Sequence, residues 1–352
     1  MASSFLRENP YTGMKVEFHI LQSFPVTCLN RDEIGSPKTA NIGGTTRARV
    51  SSQSWKRQVR AMLHEMGVPI AIRTKHLEEK LVLAISEYEV DEEQCEASAK
   101  EVASALSKDT LHFISQTEID ALAAYCKEQE FNPKNFKLKD IYKVHKKSFN
   151  PNVDGLDIAL FGRMVAQAPE INIEAATAFS HAITTHKANS EIDFFTAIDD
   201  FVQAENHGSS HLGTIEFNSG TYYRYISIDL GLLYNNCMGD EYFAKSITKF
   251  MQALYLAVPI ARQSSQSGAC PWDYARVLVR KGQRLQLSFE KAVEPFNKSY
   301  LDASIKEMDD MLEKKEKLSG SLYGKISDYS FGRDENFSID DLINNVINVI
   351  KA

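Results

Sequence analysis

The sequence predicts an α+β fold built on a ferredoxin-like βαββαβ core that carries long insertions. A strand, a basic loop and a helix come first, and a long helical stretch separates them from further strands, a long loop, a strand, a helix and a hairpin. This order of strands and helices is typical of the ferredoxin-like motif. Of the 352 residues, 43% are hydrophobic and 25% are charged, which is the composition of a folded globular protein with a substantial core.

Hydrophobic periodicity defines the first elements of this core. Residues 16–20 alternate apolar and polar side chains, which predicts a half-buried strand ended by Phe24-Pro25. Residues 47–50 predict a short strand with both of its arginines on one face, because strand side chains alternate. Ser51-Ser52 then offers an N-cap, and residues 53–66 predict a helix.

The later elements follow from the same patterns. Residues 75–147 are rich in Ala, Glu, Lys and Leu and are helical in pattern, with almost no strand signal. Residues 187–220 show no clean period, and a stretch of that length is usually functional or disordered. The remaining predictions are strands at 155–162 and 221–230, helices at 241–257, 301–317 and 338–351, and a hairpin of 275–279 with 285–288.

The net charge of −7 hides an uneven distribution along the chain. Residues 31–60 carry a net charge of +5 and residues 127–147 one of +4, whereas residues 77–101 carry −7 and residues 187–217 carry −5. This pattern is compatible with a basic groove on an acidic body, the electrostatic footprint of a nucleic-acid-binding protein. The alternative is a set of solvated faces that differ in charge.

Several classes of protein are excluded by what the sequence lacks. The five cysteines are scattered and never form a CxxC pair, which indicates reduced thiols and neither a disulfide framework nor a zinc site. No apolar run approaches the roughly 20 residues of a membrane helix. Charged residues interrupt the N-terminus where a signal peptide would be apolar, so we expect a cytoplasmic protein. Phosphate-binding loops, nucleophile elbows and zinc-protease motifs are absent from the sequence.

The residues that could carry chemistry each have a plainer explanation. His181 and His186 are spaced so that they share neither a helix face nor a strand face, so no metal site is predicted, and His207 and His211 are taken as surface residues. Asp32 lies beside Arg31 in the basic loop, where a carboxylate could assist phosphodiester cleavage. A turn-forming role for Asp32 is the favoured interpretation.

Phe194 and Phe195 lie in the acidic part of the long loop. Exposed aromatic rings beside a basic groove can stack on bases or wedge between them. The alternative, to which we give equal weight, is that the two phenylalanines pack in the core and anchor the loop. The ferredoxin-like core is also the core of RNA-recognition domains, but the RNP1 octapeptide of those domains is absent, so their usual base stacking is not predicted.

Blocks of sequence in a fixed order connect these observations to a known family. They resemble the CasC-type backbone subunits of the type I-E CRISPR Cascade complexes, in the RAMP superfamily, and they occur in family order from residue 28 to about residue 230. Beyond about residue 290 little is recognisable. The blocks are Cys28-Leu29-Asn30-Arg31-Asp32, Gly43-Gly44, and residues 49–57, 153–164, 178–186, 191–197, 211–214 and 217–225.

The resemblance implies a hand-shaped protein with an RRM-like palm, a helical fingers insertion and a long thumb loop. On this basis the palm occupies residues 14–74, 151–186 and 221–352, the fingers residues 75–150 and the thumb residues 187–220. Copies would stack along the spacer of a CRISPR RNA, with each thumb over the guide of a neighbouring copy. Partners implied by the resemblance are CRISPR RNA, target DNA, further copies of the chain and subunits of the CasA, CasB, CasD and CasE types, with no membrane.

The resemblance also implies a binding site without a cofactor, a metal or a catalytic residue. Lysines of the fingers are expected to attract target DNA. Two departures from the family are Thr45-Thr46, where basic residues are frequent, and Phe194, where tryptophan is common. The expected RNA-binding residues are Arg31, Arg47, Arg49, Ser51, Gln53, Lys56, Arg60, Arg163, Met164, Phe194, Phe195, Thr196 and Ile198, and the expected DNA-attracting residues are Lys139, Lys143, Lys146 and Lys147.

Two functions from different classes therefore follow from the sequence. The first is a non-catalytic scaffold that binds CRISPR RNA. The second is a RAMP endoribonuclease that cleaves RNA with Asp32 in the basic loop. The block of residues 49–57 favours the scaffold.

Overall fold

The computed structural model describes residues 9–107, 110–197, 211–237 and 240–352, which combine helices with mainly antiparallel strands. The strands are β1 (Met14–Thr27), β2 (Thr39–Ile42), β3 (Thr45–Val50), β4 (Ile72–Thr74), β5 (His112–Ile114), β6 (Thr177–Phe179), β7 (Ala182–Thr184), β8 (Glu191–Ala197), β9 (His211–Asp229), β10 (Tyr274–Lys281) and β11 (Lys325–Phe331). The α-helices are α1 (Ser52–Glu65), α2 (Leu77–Ser86), α3 (Glu92–Leu106), α4 (Gln116–Glu128), α5 (Leu138–Ser148), α6 (Leu156–Phe161), α7 (Leu230–Asn236), α8 (Asp240–Leu256), α9 (Gln263–Gln266), α10 (Tyr300–Ser319) and α11 (Ile339–Lys351).

The chain divides into two compact units, each of which is discontinuous in sequence. The helical unit comprises residues 1–13, 60–178 and 228–250, and the sheet unit comprises residues 14–59, 179–227 and 251–352. No helix within the described ranges is both long and apolar enough to cross a membrane.

The main sheet has the strand order β11-β10-β1-β9-β7-β3-β2, and β6 and β8 also pair with β9. The ladders of β1 with β10, β10 with β11, β3 with β7 and β7 with β9 are antiparallel. Strands that are far apart in the chain therefore lie side by side.

Both faces of this sheet are covered within the sheet unit, because successive strand residues point to opposite faces. Tyr223 and Tyr225 pack into one cluster with Met308 and Leu312 of α10. Tyr222, between them in sequence, packs into a second cluster with Trp55 of α1.

Trp55 holds α1 against the sheet and so fixes the position of the helix start. Its side chain is 1% exposed, and the Arg224 guanidinium carbon lies 3.5 Å from its ring centroid. Truncation of such a side chain to alanine costs roughly 3–5 kcal/mol of stability.

The helical unit has its own apolar core. Leu81 of α2, Val102 of α3, Leu122 of α4 and Ile141 of α5 are each at most 2% exposed and belong to one cluster. The predicted helical character of residues 75–147 is confirmed, with the short pair β4 and β5 added to it.

Three local predictions were wrong for identifiable reasons. Residues 155–162 form the buried helix α6 and not a strand, because a short apolar run does not distinguish the two. Residues 285–288 are not a strand, and β10 pairs with β1 and β11. Strand β1 continues through Pro25. The pairing of β1 with β10 ends at Leu21, so the N–H group that Pro25 lacks is not needed for a hydrogen bond to β10.

The long segment without a clean period also contains regular structure. Residues 191–197 form β8, which pairs antiparallel with the first half of β9. The pairing runs from Glu191 opposite Phe217 to Ala197 opposite His211. The sequence pattern missed this hairpin because polar and small residues interrupt the alternation on both strands.

Candidate RNA interface

The start of α1 is fixed by local hydrogen bonds. The Ser51 backbone N–H donates to the Asn30 side-chain oxygen at 2.9 Å, and the Ser54 N–H donates to the Ser51 hydroxyl at 3.3 Å. The first turn of α1 contains no acidic residue. A helix N-terminus carries a partial positive charge, so this end favours an anion even though the Ser54 N–H is already bonded.

One side of this helix start carries Arg49, Lys38 and His181. The Ser52 N–H donates to His181 Nδ1 at 3.3 Å, and Arg49 Nη1 lies 3.4 Å from the same nitrogen. Burial lowers the pKa of His181, and the positive charges of Arg49 and Lys38 lower it further. The imidazole is therefore a neutral acceptor at pH 7, and the positive charge here comes from Arg49 and Lys38.

The other side of the helix start is a groove in the sheet unit. Its lining includes Arg31, Arg57 and Arg262 together with Ser51 and Gln53. Asp32 and Glu33 lie at the same groove, so it is not purely cationic. The structure thus brings the predicted residues Arg31, Ser51 and Gln53 together around the N-terminus of α1.

Lys56 lies one turn further along the helix. Its ammonium is 5.7 Å from the centroid of the Phe179 ring, and burial lowers its pKa. A cation held over an aromatic face keeps its charge at a defined position.

Arg47 does not belong to this surface, which corrects the prediction made for it. Its side chain is 0% exposed and donates to the backbone oxygens of Thr184 at 2.8 Å and Phe289 at 3.1 Å. Its guanidinium bonds the protein itself and offers nothing to a phosphate in this structure.

Two further predicted arginines are held inside the helical unit. Arg60 donates to Asp157 at 2.7 Å and to the backbone oxygen of Ala71. Arg163 donates to both carboxylate oxygens of Glu118, at 2.8 and 2.9 Å, and is 4% exposed. Both guanidinium groups have carboxylate partners. Arg163 is buried, whereas 26% of the Arg60 side chain is exposed, so contact of Arg60 with RNA stays a prediction.

Met164 differs from the arginine that precedes it. Its side chain is 84% exposed, although it follows the buried Arg163 directly. Its contact with RNA stays a prediction.

The Asp32 side chain stabilises the turn in which it lies. Its carboxylate accepts the backbone N–H of Ile34 at 3.1 Å and that of Ser36 at 2.9 Å. The Asp32 N–H in turn donates to the Ser36 carbonyl oxygen at 2.9 Å. This geometry is that of a turn-forming aspartate and agrees with the favoured interpretation.

The β8–β9 hairpin presents its two phenylalanines differently. Phe194 is 68% exposed and Phe195 is 40% exposed. Gly213, opposite Phe195 in the ladder, has no room for a side chain, because a Cβ there would lie 2.3 Å from the Phe195 ring. Phe195 therefore covers a glycine of its own hairpin. Thr196 is exposed on β8, and Ile198 lies outside the described residues.

The base of this hairpin is tied to the basic loop. Glu216 of β9 accepts hydrogen bonds from the Ser36 hydroxyl at 2.7 Å and the Ser190 hydroxyl at 2.8 Å. The loop that carries Arg31 and the strand that carries Phe194 are consequently connected through one carboxylate.

The lysines expected to attract DNA lie on the exposed side of α5. Lys139, Lys143, Lys146 and Lys147 are all exposed, whereas Ile141 and His145 of the same helix are buried.

No cluster with the composition of a metal site occurs among the described residues. His181 is exposed beside Arg49, while His186 is buried and its Nε2 accepts the Thr221 N–H at 3.1 Å. His207 lies outside the described residues.

The expected RNA-binding residues omit two arginines that line the groove, Arg57 and Arg262. Arg57 lies four residues after Gln53, one helical turn away, so its spacing could have identified it. Arg262 comes from more than 200 residues further along the chain, and no local pattern indicated it.

The fold and the site define a mixed α/β protein with a cation-rich helix start. The sequence profile of the Cas_CT1975 family, described as CT1975-like protein, matches residues 16–337. The chain belongs to this family.

Solved structures show the same fold. A chain of a "CRISPR RNA-guided surveillance complex, pre-nicking" is 26% identical, with a TM-score of 0.81 over 95% of this chain and 99% of that one. A chain of a "CRISPR RNA-guided surveillance complex" is 23% identical, with a TM-score of 0.72 and the same coverage. No curated protein sequence matches.

Proposed function

We propose that this protein is a non-catalytic scaffold that binds CRISPR RNA, repeats along the guide and presents it for pairing with target DNA in antiviral defence. The observation that carries this proposal is the N-terminus of α1, which lies among Arg31, Arg49 and Lys56 without an acidic residue in its first turn. Family membership and the likeness to a chain of an RNA-guided complex support the same function.

The chemistry of this surface suits a guide of any sequence. Cations and helix N–H groups bind phosphates, which all nucleotides share, and do not read base edges. Single-stranded RNA held by its backbone keeps its bases accessible for pairing, and an aromatic ring such as Phe194 can stack on any base. The partners we propose are CRISPR RNA, target DNA, further copies of this chain and other subunits of the Cascade complex.

We propose a ferredoxin-like palm for the sheet unit. The central strands lie in the order β10-β1-β9-β7, and in chain order these are strands 4-1-3-2 of a βαββαβ motif. On this assignment, β2, β3 and the α2–α5 segment are insertions between the first and second core strands. The β8–β9 hairpin corresponds to the thumb.

Cleavage by Asp32 is not part of this proposal, because its Oδ1 accepts two backbone N–H groups and so serves its own turn. The Asp32→Ala variant is therefore expected to retain RNA binding and to leave bound RNA as intact as in the unaltered protein.

The experiment that tests the function is purification of the tagged full chain from cells that also express a CRISPR array and the remaining subunits, followed by sequencing of the RNA. We expect uniform repeat–spacer fragments in a multi-subunit particle. The Arg49→Ala/Lys56→Ala variant should recover less of this RNA, and Lys314→Ala/Lys315→Ala, which removes two exposed lysines of α10, should recover as much as the unaltered chain. Heterogeneous, freshly cut RNA on a lone subunit, with cutting abolished by Asp32→Ala, would overturn the proposal.

A further inference from the structure

Arg262 is held in a conformation that a non-glycine residue rarely adopts. It lies at the start of α9 with φ 55° and ψ 20°, in the left-handed region. Such backbone strain costs roughly 1–3 kcal/mol and persists where the surrounding structure fixes it, often at functional sites.

The charge of Arg262 also lacks a carboxylate partner among the described residues. Its Nε is buried without a hydrogen-bond partner among the described residues, and its charge counteracts the rise that burial causes in the pKa of the Cys28 thiol. A partly buried cation without a counterion is unfavourable unless an anion reaches it. By contrast, Arg60 and Arg163 each have a carboxylate.

The residues around Arg262 indicate where an anion would bind. Arg262 lines the groove that also contains Arg57, Ser51 and Gln53. Its Nη2 also lies beside Gly35 of the basic loop, 4.0 Å from where a Cβ on Gly35 would be. The guanidinium is therefore next to the helix start and to the basic loop.

We propose that Arg262 supplies a phosphate contact to bound single-stranded RNA, in the groove beside Arg57. The side chain of Arg262 lines the groove, and a phosphate there would neutralise a charge that has no carboxylate partner among the described residues. This inference rests on the proposed function, because it names one more residue of the same RNA-binding surface.

The test compares Arg262→Gly with Arg284→Gly, which removes an exposed loop arginine of the same unit. Binding of the full chain to a fluorescein-labelled, mixed-sequence single-stranded RNA is followed by anisotropy over a range of salt concentrations. One lost phosphate contact lowers the slope of log affinity against log salt by about 0.7, or about fivefold in affinity at 0.1 M salt. We expect this loss for Arg262→Gly and none for Arg284→Gly.

Thermal unfolding separates this role from a structural one. Glycine relieves the left-handed strain, so Arg262→Gly should not unfold at a lower temperature than the unaltered protein, although it binds RNA more weakly. Arg262→Lys keeps the charge and should recover most of the salt slope.

An unaltered salt slope in Arg262→Gly, with a fall in unfolding temperature, would overturn the inference and leave the proposed function intact. Failure of the unaltered chain to bind the RNA at all would instead overturn both.

Discussion

The cations of this protein fall into two groups that the sequence does not distinguish. Arg60 and Arg163, in the helical unit, are paired with Asp157 and Glu118. Arg49 and Lys56, in the sheet unit, have no ion pair with a carboxylate among the described residues and lie near the start of α1. The comparison teaches that membership of a family motif does not decide which arginine charges are available, because the fold pairs some of them with carboxylates and leaves others without one.

The largest expected effect comes from breaking a buried pair. Arg163→Ala leaves the Glu118 carboxylate buried without its cation, and removal of one partner of a buried pair costs about 3–5 kcal/mol. We expect this loss in urea unfolding of the full chain, with an unaltered salt slope for RNA binding where binding is measurable. Replacement of both partners by methionine should recover much of the loss.

A reduced salt slope in a well-folded Arg163 variant would contradict the division into two groups, because it would place Arg163 on the RNA. Arg163→Lys is the conservative control, since it keeps the charge but loses the guanidinium hydrogen bonds to the backbone oxygen of Ile171.

Arg163, Glu118, His145 and His112 form a buried cluster of ionisable side chains, which should also make the stability of the protein depend on pH. Burial, with a further contribution from Arg163, lowers the pKa of His112 to about 4 from its ordinary 6.5, and His112 Nε2 lies 3.3 Å from His145. The pKa is lower in the folded state, so the unfolded chain binds more protons and stability falls as pH drops from about 6.5 towards 4.

Between pH 6.5 and pH 5 this contribution from His112 amounts to about 2 kcal/mol. Urea unfolding at both pH values measures it, and His112→Gln should show a smaller difference between them than the unaltered protein. An equal difference in the variant would show that His112 does not titrate as its burial implies.

The exposed aromatic ring of the hairpin gives the next effect. Phe194→Ala should weaken binding of single-stranded RNA by about 1–3 kcal/mol, the usual contribution of one stacked base. Ile192→Ala is the matched control, because Ile192 is 61% exposed on the same face of β8 but has no ring to stack. Equal losses in the two variants, measured by anisotropy, would mean that the hairpin contributes apolar contact and no stacking.

The smallest effect concerns a single, partly buried cation. Arg49→Ala should lower the salt slope by about 0.7 and leave stability within about 0.5 kcal/mol of the unaltered protein. The loss should be similar for RNAs of different sequence, because phosphates carry no sequence information. A sequence-dependent loss would place Arg49 on a base and not on the backbone.

Much of the fold could be predicted from periodicity alone. The helix start at Ser51-Ser52, the strand β3 and the helices α8, α10 and α11 all follow from local patterns, and the structure confirms them. The strand predicted over 155–162 is the helix α6, because a short buried run carries no period. The β8–β9 hairpin was missed because its strands lack a regular alternation.

The sequence by itself determined the family and the residue types of the candidate RNA interface, since ordered motif blocks and clusters of charge are local properties of the chain. Only the tertiary structure decided which cations are available. Arg47 is buried and donates to the backbone oxygen of Phe289, 242 residues away, whereas Arg262 joins Arg57 at the groove and has no carboxylate partner among the described residues. Burial and pairing depend on contacts between distant segments, and no local pattern encodes those contacts.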